Sequence, residues 1–156
     1  MNGSGNDLLF LVDHMVIKLG KYLRIAGYDA EWDLKLRTHE LILKANRENR
    51  IFVTRNMRLK SQYPPVNRLI VLKNTDPAEQ LTVLASRLDL DLRRAMFSRC
   101  IKCNLQLAPV ADKESIRLKV HPNVFKRHDR FFTCPSCQTV FWHGSHVTNT
   151  RTKLGL

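Results

Sequence analysis

Leu8-Leu9-Phe10-Leu11-Val12-Asp13 decides the fold. Five consecutive apolar residues end at an acid. A strand wetted on one face would alternate polar and apolar residues, and this run does not. It therefore reads as a strand of a parallel sheet, buried on both faces. Downstream, Val16, Leu19, Leu23 and Ala26 recur at spacings of three and four, which predicts an amphipathic helix over 15–26 ended by Gly27. Residues 28–32 form a weaker strand candidate. Thr38 is placed to cap a helix running to about Asn49, with Leu41, Ile42 and Ala45 facing inward. Ile51-Phe52-Val53 and Leu69-Ile70-Val71-Leu72 are two further buried strands. Asp76-Pro77 opens another helix, with proline at its first position and Leu81, Leu84, Ala85 and Leu88 on one face. This alternation predicts an α/β domain over residues 8–97. Its sheet is doubly wound and mostly parallel, with helices on both faces.

The four cysteines all lie beyond this domain, as Cys100-x-x-Cys103 and Cys134-x-x-Cys137. Each tight pair directs two thiolates at one metal, and two such knuckles complete a closed, tetrahedral, structural zinc site. No export signal opens the chain, so a reducing compartment and metal ligation are expected rather than disulfides. The segment 98–146 is thus expected to be a four-cysteine zinc ribbon with an insertion between its knuckles, including a short helix over 112–120. Phe132 and Phe141 are expected in its core. Residues 1–7 read as a flexible lead and 147–156 as a flexible, fraying tail.

With 156 residues and 44% hydrophobic content, the chain has material for one ordinary core and a small satellite module. No apolar window approaches the eighteen residues of a membrane span, so no membrane partner is expected. Twenty-six Lys and Arg against fourteen Asp and Glu give a net charge of +12, which favours a polyanionic partner, foremost a nucleic acid. The excess is uneven: residues 1–96 carry +5 and residues 97–156 carry +7.

Two sets of residues carry candidate chemistry. Ligands of open α/β sheets bind at the carboxyl ends of the strands. Asp13 and Arg55-Asn56 follow two of the predicted strands, and Glu40 opens the second helix. With Asp29 or Asp33 as a third ligand, Asp13 and Glu40 could hold Mg²⁺ or Mn²⁺ for phosphodiester hydrolysis. The same residues also suit plainer roles, Asp13 as a helix cap and Glu40 as a first-turn acid favoured by the helix dipole. The second set surrounds the second knuckle. Lys126, Arg127 and Arg130 are candidate phosphate contacts, and Trp142 suits either base stacking or the core. His143 and His146 are spare, because four thiolates already fill the zinc tetrahedron. Lys18, Lys21 and Arg24 form a second basic group at helical spacing, and Arg55 is a further candidate phosphate contact.

Several ordered blocks together resemble a known family. They are Phe10-Leu11-Val12-Asp13, Lys18-Leu19, Tyr22-Leu23-Arg24, Gly27-Tyr28-Asp29 and Ile51-Phe52-Val53-Thr54-Arg55. Arg99-Cys100-Ile101-Lys102-Cys103-Asn104, Cys134-Pro135-Ser136-Cys137 and Phe141-Trp142-His143-Gly144-Ser145-His146 follow. From about Leu9 to His146 the chain resembles the Mut-seven C-terminal RNase domain family, a PIN-like nuclease fold joined to a zinc ribbon. The resemblance implies that Asp13 matches the first acidic position of the PIN-like site and Glu40 its helix-start acid. The family's Thr-Arg-Asp is here Thr54-Arg55-Asn56, so one carboxylate is replaced by an amide and the acidic site is degenerate. The family also occurs at the C-terminal end of animal mutator-type and Nibbler-type three-prime-to-five-prime exoribonucleases.

The expected function is therefore an RNA-binding accessory domain of such an exoribonuclease, acting on single-stranded RNA in small-RNA silencing metabolism. It would work beside an upstream exonuclease domain of the same polypeptide, in the cytoplasm, perinuclear region or nucleus. An autonomous metal-dependent ribonuclease using Asp13 and Glu40 is the alternative, and a docking module for an RNA-silencing protein partner is a third reading.

Overall fold

The computed structural model describes residues 8–61 and 64–156; the lead expected over 1–7 lies outside the described residues. Strand β1 (Leu9–Val12) is followed by a 3-10 turn (His14–Val16) and helix α1 (Ile17–Ile25). Then come β2 (Asp29–Glu31), α2 (Thr38–Arg47), β3 (Ile51–Thr54), β4 (Leu69–Val71) and α3 (Pro77–Leu88). All pairings in this sheet are parallel, in the order β2-β1-β3-β4.

The unbroken apolar run of β1 has two faces to satisfy. Phe10 and Val12 join Leu19, Leu23, Leu81 and Leu84 on the side of α1 and α3. Leu11 joins Phe52, Leu41, Ile42 and Ala45 on the side of α2. Helices thus cover both faces. Gly27 ends α1 at φ +93°, and a Cβ there would lie 2.4 Å from the Ala95 carbonyl oxygen. Only glycine lets the segment that leads to the second half pass so close. The helix start at residue 38 is capped differently from expectation. Arg37 is the N-cap and Glu40 closes a capping box onto its backbone, so Thr38 is already inside the helix.

The second half holds β5 (Ala108–Pro109), α4 (Pro122–Arg127), β6 (Phe132–Thr133) and β7 (Val140–Phe141), with β5-β6-β7 an antiparallel sheet. The insertion carries a 3-10 turn (Lys113–Ile116) and then α4, in place of one helix over 112–120. The fraying tail is corrected. Residues Ser145–Leu154 form helix α5, with Val147 buried and Leu154 and Leu156 packed against the α1–α3 side of the core. Two leucines at its end and one buried valine in its first turn anchor an otherwise polar stretch. No helix among the described residues is long and apolar enough to cross a membrane.

Candidate functional site

The two knuckles are built alike. Cys100 N–H donates to Leu105 O and Cys134 N–H to Thr139 O, at 2.8 and 3.1 Å. Asn104 and Gln138 then turn the chain in the left-handed region, at φ 63° and 59°. This folds each Cys-x-x-Cys so that both sulfurs point the same way. The four Sγ atoms lie within 4.8 Å of one another, and Cys100 Sγ is 3.8 Å from Cys137 Sγ. A tetrahedron with Zn–S bonds of about 2.3 Å has edges of about 3.8 Å, so the cluster fits a zinc site. Burial pushes the Cys100 thiol up to about 12, a cost that a bound cation removes by holding the group as thiolate. The four cysteines are positioned to bind a metal ion that closes both knuckles together.

The first knuckle is joined to the parallel sheet by two buried side chains. Arg24 donates to Ala30 O and Ile101 O, both at 2.7 Å, and lies 3.7 Å above the Trp32 ring. Arg24 therefore leaves the exposed basic group expected on α1, while Lys18 and Lys21 remain exposed. Asn104 is the second such side chain, bonded to Asp29 and to Ala30 N–H.

At the carboxyl edge of the sheet, Asp13 is 8% exposed. Its Oδ1 accepts from Met15 N–H at 2.9 Å, and its Oδ2 accepts from the Thr54 hydroxyl. Burial raises the carboxyl above the ordinary aspartate value despite these bonds. The other expected acidic ligands are engaged elsewhere. Glu40 Oε2 takes Arg37 N–H at 2.7 Å, and Asn56 Oδ1 takes Arg58 N–H at 3.1 Å. Asp33 lies at the same edge, accepting from Lys35 N–H at 2.8 Å. Asp29 as a metal ligand is corrected. The parallel register sets it beside Leu9, at the amino end of the sheet and opposite to Asp13, and Arg50 pairs it at 2.7 Å. Among the described residues, only the four cysteines bring three or more His, Cys, Asp or Glu ligand atoms within 4.8 Å of one another. Arg55 is half-buried nearby, and its Nε has no hydrogen-bond partner among the described residues.

Lys126, Arg127 and Arg130 are exposed around the end of α4. Arg127, His128, Asp129 and Arg130 line a groove together with Phe132 and His143, so one carboxylate stands among its cations. The last two rings stack at 5.5 Å and 24°. Phe131, rather than Phe132, is the buried aromatic of the ribbon. It lies on Phe125 at 6.5 Å and beside Trp142 at 6.4 Å. Trp142 faces Phe131 and His146 and does not line this groove. Phe132, expected in the ribbon core, and His143, expected as a spare imidazole beside the second knuckle, both line the groove. Their alternation across the pair β6–β7 was the available signal, because it sends Phe131 and Phe132 to opposite faces.

No curated protein matches the chain. The family model described as Mut7-C RNAse domain matches residues 9–154, spanning both the parallel sheet and the cysteine centre. With the acidic edge, the four-cysteine cluster and the match all covering one continuous unit, the chain belongs to the Mut7-C RNAse domain family.

Proposed function

We infer that the chain is an RNA-binding accessory domain, with a structural zinc in its ribbon and a degenerate PIN-like acidic site. The observation that carries this reading is the groove in which Arg127 and Arg130 flank the stacked pair Phe132–His143. Cations there suit phosphates and ring faces suit unpaired bases, the combination that single-stranded RNA needs. The acidic edge supports the same reading. Among the described residues Asp13, Glu40 and Asp33 gather no trio of ligands, and Asn56 spends its oxygen on the following turn. The chain's net charge of +12 further favours a polyanion. We place this role beside an exonuclease domain on the same polypeptide, as in the animal exoribonucleases the chain resembles, in small-RNA silencing and in a reducing intracellular compartment. Met15, Leu34 and Met57, exposed beyond the ends of β1, β2 and β3, suit docking of a silencing protein there.

Fluorescence anisotropy of a labelled single-stranded RNA tests the reading. Affinity is expected to fall steeply as salt rises, with a log–log slope near −0.7 per phosphate neutralised. Replacing Arg127 and Arg130 together by alanine lowers both affinity and slope, the slope by about 1.4. A flat salt dependence, or a double variant that binds as wild type does, contradicts it.

A second reading, a ribonuclease that works through Asp13 with Mg²⁺ or Mn²⁺, is favoured by one observation. Both Asp13 oxygens are held by neutral donors at the sheet edge where such sites form. Divalent-dependent cleavage that Asp13→Ala abolishes is its signature.

A further inference from the structure

The parallel sheet has two outer strands, β2 and β4, and their free edges differ. On β2 the outward N–H and C=O of Ala30 are both taken, by Asn104 Oδ1 at 3.1 Å and by Arg24 Nε at 2.7 Å. On β4 the ladder to β3 fixes which groups point outward. Phe52 N–H donates to Arg68 O and Leu72 N–H donates to Thr54 O, both at 2.8 Å. Strand alternation then turns the N–H and C=O of Leu69 and Val71 away from β3, to the open edge. Among the described residues one side chain answers them: Arg87 Nη1 donates to Val71 O at 3.2 Å. Leu69, Ile70 and Val71 are all apolar, yet each is only half-buried, while β3 beside them is buried throughout.

We propose that this edge takes a short, extended, acidic segment of a partner protein, which adds to the sheet beside β4. The surface shares no residue with the Arg127–Arg130 groove, so the inference stands apart from the RNA-binding reading.

A groove of about 310 Å³ is lined by all three residues of β4 together with Met57, Lys60, Lys73 and Arg87. The outward N–H and C=O groups recur at every second residue, the repeat of an extended polypeptide and not of a ribose-phosphate chain. Met57 and the half-buried strand side chains add apolar contact for alternate residues of the segment. Lys60, Lys73 and Arg87 are exposed, and no acid is among the lining residues. That charge complements carboxylates on the incoming segment. It also disfavours a second copy of this chain as the occupant. Pairing two β4 edges would set each of these cations near its own duplicates, which is how lysines on an edge keep strands of identical chains apart.

The test is fluorescence anisotropy of the full chain with a labelled octapeptide of alternating valine and glutamate. Two controls accompany it: the same peptide with every amide N-methylated, and an octapeptide of alternating valine and lysine. Wild type is expected to bind the acidic octapeptide about tenfold more tightly than either control. Val71→Pro removes one outward N–H and spares the ladder to β3, because proline is tolerated where a strand N–H faces solvent. It is expected to weaken the acidic octapeptide about tenfold. Lys60→Glu with Lys73→Glu, at two exposed positions, is expected to weaken it roughly two- to thirtyfold and to improve binding of the lysine octapeptide. Far-UV circular dichroism and an unchanged melting temperature show that each variant is folded. If Val71→Pro does not fold, the charge-reversed variant and the N-methylated control decide. The proposal is overturned if the N-methylated peptide binds as tightly as its parent, if either folded variant binds the acidic octapeptide as wild type does, or if wild type binds none of the peptides. Oligouridylate that displaces the acidic octapeptide and loses affinity in the charge-reversed variant would give the edge to RNA instead. A dimer that Val71→Pro dissociates would give it to a second copy.

Discussion

Asn104 Nδ2 lies 2.7 Å from Asp29 Oδ1, a bond between residues 75 positions apart that joins the first knuckle to β2. The same side chain accepts from Ala30 N–H at 3.1 Å. Because β2 is an edge strand, that N–H has no strand neighbour on its outer side. Asn104 thus acts as a short substitute strand, and asparagine tolerates the φ of 63° that brings it there. Asn104→Ala is expected to cost about 1–3 kcal/mol, since it strands the buried Ala30 N–H and removes one of the two side-chain partners of Asp29. Urea unfolding measures this, and a loss under about 1 kcal/mol contradicts the tie.

Arg50 is buried and bridges Asp29, Glu31 and Glu48, at 2.7–2.8 Å each. Burial alone raises the Asp29 carboxyl, but the bonds from Arg50 and Asn104 and the Arg50 charge outweigh it and hold the group below its ordinary value. A depressed acid stabilises the fold above its unfolded value, about 3.9, and that contribution is lost as pH falls through the lower folded value. Arg50→Gln is expected to lose about 3 kcal/mol at pH 7, because Asp29 loses its ion-pair partner while Glu31 and Glu48 keep Lys44 and Arg47. The gap to wild type should narrow as pH falls below about 4. A gap that stays constant with pH would remove the ion pair from the explanation.

The cysteine cluster predicts one zinc per chain by elemental analysis. Cys100→Ser or Cys134→Ser, at the two buried ligands, abolishes binding and unfolds the ribbon. Co²⁺ in place of zinc is expected to give the absorption bands of a tetrahedral thiolate site. Retention of the near-UV circular dichroism signal after complete metal removal contradicts a structural role.

Asp13 has a raised pKa, so its charged form burdens the fold at neutral pH and stability rises as pH falls through the folded value. Asp13→Asn keeps the Met15 bond on its oxygen, reverses the Thr54 bond so that the amide donates to the hydroxyl, and removes the buried charge, so it is expected to be at least as stable as wild type at pH 7. Asp13→Ala loses the cap and about 1 kcal/mol. Millimolar Mg²⁺ is expected to leave the wild-type melting temperature unchanged, because a ligand of the native state raises it. A magnesium-dependent rise that vanishes in Asp13→Asn would restore the metal site.

The sheet was legible because β1 and β3 are apolar without a break, a pattern that demands cover on both faces. The cysteine centre was legible because its spacing is itself the geometry. Asp29 was misassigned because membership in a strand says nothing of which end a residue occupies. Only the pairing of Leu9 with Asp29 sets it opposite to Asp13. Arg24 looked like one of three surface cations, but its partners, Ile101 and Lys102 carbonyls, come from another half of the chain. Helix α5 was hidden by polar composition, since its anchors Val147, Leu154 and Leu156 matter only once a surface exists to receive them.

On the proposed reading this chain holds single-stranded RNA without cutting it. One labelled RNA is mixed with the protein and Mg²⁺ or Mn²⁺, and the mixture is divided between a native and a denaturing gel. Asp13→Ala and the Arg127→Ala, Arg130→Ala double variant are run beside it. Intact RNA is expected, shifted by wild type and by Asp13→Ala but not by the arginine variant. Cleavage by wild type that disappears with Asp13→Ala would contradict it.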